Sequence, residues 1–444
     1  MSETATKLTV MRNPAEEGFL KIYAEAAGSL PGTKKITEAR RAAMARFEEL
    51  GLPHRRIEEW KYTDLRARIT EAFPVATGGD VSASAIDAAL GALAGIDAVR
   101  LVLVDGRYSQ NHSNADMASE GLTIKSLAEA LADDCFADMH ATIANVPDSD
   151  PTVALNTGLM SDGVAIHVTG KHAKPLHIVQ VMTAANPGLV TTRNIVSIGN
   201  EADVTLLDSF VSLGDAATQV NTLTHIGVGD DARVCHVQTQ QENAATTHLA
   251  TWAVDLAARC HYQALQVTTG GALTRNQIYL TFNGEDAKAH INGAWMQRGE
   301  QHCDSTLVID HIVPGCESRE VFKGVLDDKA RGIFQGKIMV KPEAQKTDGK
   351  QMAQALLLSE DAEFDSKPEL EIFADDVVCG HGSTSGAIDE DLLFYLRARG
   401  IPEKKARALL VQAFVGEAIE IVEDNDALYG ALMSIAEDWL SEAA

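Results

Sequence analysis

From about residue 164 the chain repeats one short pattern, in which β-branched or alternating apolar and polar runs are separated by Gly, Asn and Asp. The runs are Val164–Val168, His177–Val181, Asn194–Ile198, Val204–Val211, Thr222–Val228, Arg233–Thr239, His248–Leu256 and His261–Thr268. They continue through Asn276–Phe282, Lys288–Trp295, Ser305–Asp310, Arg319–Val325, Gly332–Val340, Ala355–Ser359 and Glu369–Phe373. Alternation with period two reads as strand. Strands at spacings of roughly ten to twenty residues, with almost no helix between them, leave few architectures. Asn-Gly pairs, the strongest short hairpin signal, occur only at Asn283-Gly284 and Asn292-Gly293. The turns Gly199-Asn200-Glu201 and Gly229-Asp230-Asp231 suit a coil that climbs in one sense, so the pattern predicts a parallel β-helix of about 200 residues. Its two open ends need caps.

Helical sequence flanks it. Ala15 to Gly28 and Thr37 to Leu50 are rich in Ala, Glu, Arg and Leu, broken at Pro31-Gly32. Val99 to Val104 reads as a strand before the turn at Asp105-Gly106, and Thr123 to Leu131 with the Asp-rich stretch after it reads as short helix. Near the C-terminus Asp389 is an N-cap for Glu390 to Arg399, Gly400 stops that helix, and Pro402 opens a long helix through Val422. Apolar residues run nearly all round that last helix, so it needs contacts on more than one side. The predicted organisation is a mostly helical domain at 1–150, the β-helix at 151–388 and a helical domain at 389–444.

Composition narrows the function. A net charge of −25 repels phosphate backbones and argues against nucleic acid. No apolar run approaches the ~20 residues needed to cross a bilayer, and the first residues lack an export-signal layout. Six dispersed cysteines do not form a disulfide framework, which points to reduced thiols in the cytoplasm. Gly332 to Ile338 is one residue short of a phosphate loop and has no Ser or Thr after Lys337. Zinc-protease, Cys-x-x-Cys and nucleophile-elbow motifs are absent. With aromatics at 5% and no export signal, a carbohydrate-active β-helix is disfavoured.

The candidate chemistry is thiol and imidazole. Cys235-His236, Cys260-His261 and His302-Cys303 are neighbours in strands, so each pair aims only one side chain inward and reads as small buried core. His167, His172 and His177 follow neither a helix nor a strand period. Cys379-Gly380-His381 differs, because residues two apart in an extended segment face one side and can address one ligand together. Both types ligate iron, and Gly380 and Gly382 leave room for a partner to approach. The bland reading of this corner is a buried thiol beside a hydrogen-bonded histidine. Residues His54 to Leu65 read as an amphipathic turn anchored by Trp60 and Tyr62.

An ordered series of motifs resembles the SufB/SufD family of the Suf iron–sulfur cluster assembly machine, on its SufD side. It comprises Gly51-Leu-Pro53, Glu58 to Leu65, Leu103 to Tyr108, His311 to Pro314, Ser318 to Leu326 and Ala330 to Ile338. Ala344 to Asp348, Gln351 with Leu356 to Ser359, Lys367 to Ile372, and Ala374 to Gly400 complete it. The resemblance implies a mainly β chain, a right-handed parallel β-helix between helical domains, paired with a SufB-like paralogue and carrying a SufC-like ABC ATPase. It implies a non-catalytic subunit, with ATP hydrolysis left to the ATPase. His381, with Cys379 beside it, would help hold transient iron or a nascent cluster at the SufB contact, with no cofactor bound stably. Phe394, Tyr395, Arg399, Leu410 and Phe414 are the expected ATPase-docking residues, and a homodimer is possible when the chain is isolated. SufB-like sequences look to carry Cys where this chain has Thr347, and His-Glu where it has His381-Gly382, so this chain contributes to a shared site. The alternative is a purely structural β-helix that positions the ATPase without touching iron.

Overall fold

A computed structural model describes residues 12–117, 119–132, 146–147 and 149–442. Two helices, Pro14–Ala26 and Lys34–Leu50, open the chain. Asn13 caps the first, accepting from Glu16 N while the Glu16 carboxylate accepts from Asn13 N. The Asp-rich stretch expected to follow Leu131 as helix lies outside the described residues.

The centre is a parallel β-solenoid of two sheets, one of ten strands and one of nine. Successive strands alternate between the sheets, and a turn takes about 30 residues, as the in-register partners Val204 and Val234 show. One corner explains why the coil climbs in one sense. Glu201, Asp231, Arg259, Asp286 and Lys346 take positive φ, with Gly315 at the same place. Each sends its backbone N–H to a carbonyl of the next turn: Glu201 to Asp230, Asp231 to Ala258, Arg259 to Glu285, Gly315 to Gln345. A left-handed residue costs about 1–2 kcal/mol, and the hydrogen bond onward offsets it. The residue after each must be small: Ala202, Ala232, Cys260, Ala287, Cys316 and Thr347 form one buried row.

Between the sheets lies the main core, including Val204, Val234, Trp252, Tyr262, Phe282, Ile291, Phe322 and Phe334. The outer faces are covered unequally. The N-terminal helices and helix Pro151–Leu159 pack through Phe19, Phe47, Trp60 and Leu155 on the nine-stranded side, at Leu189, Leu249 and Leu273. The C-terminal helices Glu390–Ala398, Glu403–Ile419 and Asp426–Glu442 cover the ten-stranded side. Asp389 caps the first of these, accepting from Asp391 N and Leu392 N. The long helix begins at Glu403 with Pro402 as its cap and ends at Ile419, where a 3-10 turn takes over, slightly short of the predicted Val422.

Several strands run longer than the alternation predicts. Gly188–Ile198, Asp348–Leu357 and Glu363–Ile372 all extend upstream. Thr191, Thr192, Arg193 and Asn194 are buried polar residues, which hides the strand from a hydrophobicity pattern. The segment read as extended around Cys379 is the final strand, Val378–Gly386, whereas the start of the stretch read as helix from Thr123 is a strand, Leu122–Ser126.

Candidate functional site

The two ends of the solenoid are built differently. At the N-terminal end the outermost strands are short antiparallel pieces, Arg107–Tyr108 on one sheet and Leu122–Ser126 on the other. At the C-terminal end the outermost strands are Glu363–Ile372 and Val378–Gly386, both long, parallel and unpaired on their outer edge. Met352, Ile372, Phe373 and Val378 are exposed there, Phe373 to 61%. A long strand edge left open, with apolar side chains exposed at its corner, is a template for another chain.

Cys379 and His381 lie on this last strand, opposite Gly349 and Gln351. Strand alternation puts both on the face that looks into the solenoid, and Cys379 packs against the main core. Cys379 is half-buried and His381 is exposed. The bland reading of a histidine satisfied at a turn does not hold, because no side-chain hydrogen bond to His381 is made among the described residues. Burial pushes the Cys379 thiol above its usual value, Asp348 and Glu320 push the same way, and the Gly349 backbone opposes them. The thiol is therefore held in its protonated form at neutral pH. The flanking glycines differ. A Cβ at Gly380 would meet nothing within 4 Å, which leaves space for an approaching group, whereas one at Gly382 would strike Met352 Cε at 2.6 Å. Gly382 thus makes room for Met352.

Three other thiols among the described residues are enclosed. Cys260, Cys303 and Cys316 face the core, and burial raises Cys260 to about 12 and Cys316 to about 11. Of each adjacent pair one member is inward, as alternation requires: His236 inward beside Tyr262 Oη (2.9 Å), Cys235 outward. His177 is wholly buried, donating or accepting at Ser209 Oγ (2.9 Å), while His167 is exposed and His172 half-buried. Lys337 of the rejected phosphate-loop motif lies in a strand and pairs with Glu371 at 2.7 Å.

The proposed docking residues divide. Phe394 is 72% and Tyr395 55% exposed on helix Glu390–Ala398, with the Arg399 guanidinium 5.0 Å from the Tyr395 ring. Leu410 and Phe414 sit lower, lining a groove of about 390 Å³ with Leu392, Ala413 and the end of the last strand, Thr384 to Gly386. Lys323 lies 4.6 Å from the Phe414 ring and bonds Glu417 Oε2 at 2.5 Å, which seats this helix on the sheet.

The motif His54 to Leu65 is an anchor, but Tyr62 is half-exposed and Thr63 takes its place. Trp60 is buried under Arg275, whose guanidinium lies 3.8 Å from the ring. Arg275 pairs with Asp304, and Thr63 Oγ1 donates to the same carboxylate. His302 Nε2 meets Thr63 Oγ1 at 2.9 Å. Sequence reasoning missed Arg275 and Asp304; charged residues at outward strand positions signal a covered face only once the cover is known.

Family models match nearly the whole chain. Residues 13–181 match the SufBD protein N-terminal region, and residues 180–414 match the SUF system FeS cluster assembly SufBD core domain. The chain belongs to the SufBD family. It is 33% identical to the iron–sulfur cluster assembly protein SufD of Escherichia coli, over 89% of this chain and 90% of that one. An iron–sulfur cluster assembly SufBD family protein of Synechocystis is 29% identical over 87% of each. Bacillus subtilis SufD is 26% identical over 61% of this chain and 63% of its own length. Iron–sulfur cluster assembly is therefore the setting to which this chain belongs.

Proposed function

We propose that this chain is the SufD-type, non-catalytic half of a cytoplasmic SufB–SufC–SufD-type scaffold that acquires iron and assembles clusters at the contact between two solenoids. The observation that carries the proposal is the uncapped rim, where an exposed imidazole without a partner stands two residues from a half-buried thiol on an unpaired strand. A SufB-like paralogue docks on that edge and brings the remaining ligands, since a histidine and one thiol do not complete an iron site. Iron or a nascent cluster is cargo there, not a resident cofactor. Imidazole suits a transient site: it ligates as a neutral group, and its protonation offers a way to let go. The C-terminal unit, residues 389–444, carries a SufC-like ATPase on Phe394, Tyr395 and Arg399, with Leu410 and Phe414 at the base of the groove. Because that groove touches the last strand, force from a dimerising ATPase reaches the rim directly. The isolated chain would pair with itself through the same edge.

The test is His381→Ala in the co-purified three-protein complex, followed by anaerobic iron and sulfide analysis with and without ATP. Loss of cluster with the complex intact is expected. Full cluster yield would leave the rival, a structural subunit that only positions the ATPase, as the better account. No helix among the described residues is long and apolar enough to cross a membrane.

A further inference from the structure

The last turns of the solenoid enclose a carboxyl group that packing does not explain. Glu320, on strand Glu317–Leu326, is 1% exposed, and neither of its oxygens has a hydrogen-bond partner. The Ser318 hydroxyl, which also meets His311 Nε2 at 3.2 Å, favours the Glu320 anion, but burial outweighs it and raises the carboxyl to about 8. An ionised carboxylate needs donors and a neutral one needs an acceptor for its proton. The packing around Glu320 places neither in hydrogen-bond geometry.

Register shows where the group belongs. Glu320 lies opposite Gln351, and Gln351 opposite His381, so the three form one inward row across adjacent strands. The neighbouring row is Ser318, Gly349 and Cys379. Gly349 has no side chain, so Gln351 alone separates Glu320 from the rim pair along these rows. Gln351 is held by two long hydrogen bonds, its Nε2 donating to Gly336 O and Glu369 O, both at 3.3 Å.

We propose that Glu320 is the inner oxygen ligand of the rim site: an Fe(II) ion held at His381 and Cys379 takes the Glu320 carboxylate as a further donor when Gln351 gives up its two backbone carbonyls. Ferrous iron accepts imidazole, thiolate and carboxylate together. Iron stays ferrous throughout, and the thiol and carboxyl protons leave to solvent. Among the described residues no three such side chains converge on a ready-made cation site. The ligand set therefore forms only on rearrangement, as a transient site requires. The inference rests on the reading of the rim as an iron site.

The experiment titrates Fe(II) alone, anaerobically, into the complex co-purified with its SufB- and SufC-type partners. It reads affinity and the rise in melting temperature that iron produces, for the parent, Glu320→Gln and His381→Ala. Glu320→Gln is expected to weaken binding at least 10-fold and to abolish most of the iron-induced rise, which a merely structural role would not do. Glu320→Met, apolar and similar in length, replaces it if the amide disturbs folding. Parent-like affinity in the Glu320 variant with weakened binding in His381→Ala overturns the proposal and leaves the rim site standing. Parent-like affinity in both, or no binding by the parent, removes the rim reading and this inference with it.

Discussion

The contact that joins the N-terminal region to the solenoid yields a sharp prediction, because it is built on one buried carboxylate. Asp304 is 0% exposed and Arg275 1%, and they pair inside a protein interior formed by two parts of the chain far apart in sequence. Arg275 also donates to Glu59 O (2.9 Å) and to Gln277 Oε1 (3.1 Å), and Gln335 Nε2 sits 3.4 Å from Asp304 Oδ1. Replacing Asp304 by Ala leaves a buried guanidinium without its counter-charge and the Thr63 hydroxyl with His302 Nε2 as its remaining partner. Breaking a buried pair from one side costs about 3–5 kcal/mol. With a urea slope of about 3 kcal/mol/M, the midpoint falls by about 1–1.7 M. Asp304→Asn keeps the shape and one acceptor and should lose about half as much. The assay is urea unfolding followed by tryptophan fluorescence, since Trp60 lies in the contact, with limited proteolysis of residues 51–75 as a second readout. A midpoint within 0.2 M of the parent (~0.6 kcal/mol at that slope), with no new cleavage, would refute the idea that this carboxylate holds the two parts together.

Two further predictions follow from exposed and buried groups. Phe394→Ala with Tyr395→Ala should abolish co-purification of the ATPase partner without changing the melting temperature, because both rings are exposed; retained ATPase would move the docking surface elsewhere. Stability should peak near pH 6.5. His177, His236, His302 and His311 are held down to about 3 by burial, so the unfolded chain binds more protons below 6.5 and stability rises with pH up to there. Asp208 and Glu320, raised to about 7 and about 8, keep protons that the unfolded chain has lost, so stability falls as pH climbs toward 8. Glu320→Gln should flatten that alkaline limb; an unchanged limb in thermal melts across pH 6.5–8 would contradict the assignment.

The solenoid was legible because each strand alternates and each corner carries its own punctuation. Asp230-Asp231 and Glu285-Asp286 mark turns where an acidic residue tolerates positive φ. Strand ends were less legible wherever the inward row is polar. Asn194, Gln238, Gln266 and Glu320 face inward yet read as surface, so the alternation fails where the interior is hydrophilic. The Cys379-His381 pair was visible as a spacing, but its position on an open edge was not, since nothing local says that no strand follows. Gly382 looked like room for a partner and instead accommodates Met352. Arg275 and Asp304 were invisible for the opposite reason: each is ordinary in its own strand and acquires meaning only from a motif some two hundred residues earlier.

The polarity of the two solenoid ends connects these points. A closed coil would protect both rims equally, and this chain has the means to do so, since short antiparallel strands cap the N-terminal end. At the other end the chain places its last two full strands and then turns away into helices that cover an outer face instead of the rim. That arrangement keeps both edge ladders free while anchoring the helices beside them, through Lys323 to Glu417 and Asn292 Nδ2 to Ala418 O. A displacement of the long helix must then pull on the strands around Lys323 and Asn292, one and two ladders inward of Gln351. Glu320 is three residues before Lys323 on the same strand. If the C-terminal helices carry a partner and Gln351 releases Glu320 as proposed, these contacts would make the two motions one mechanical event.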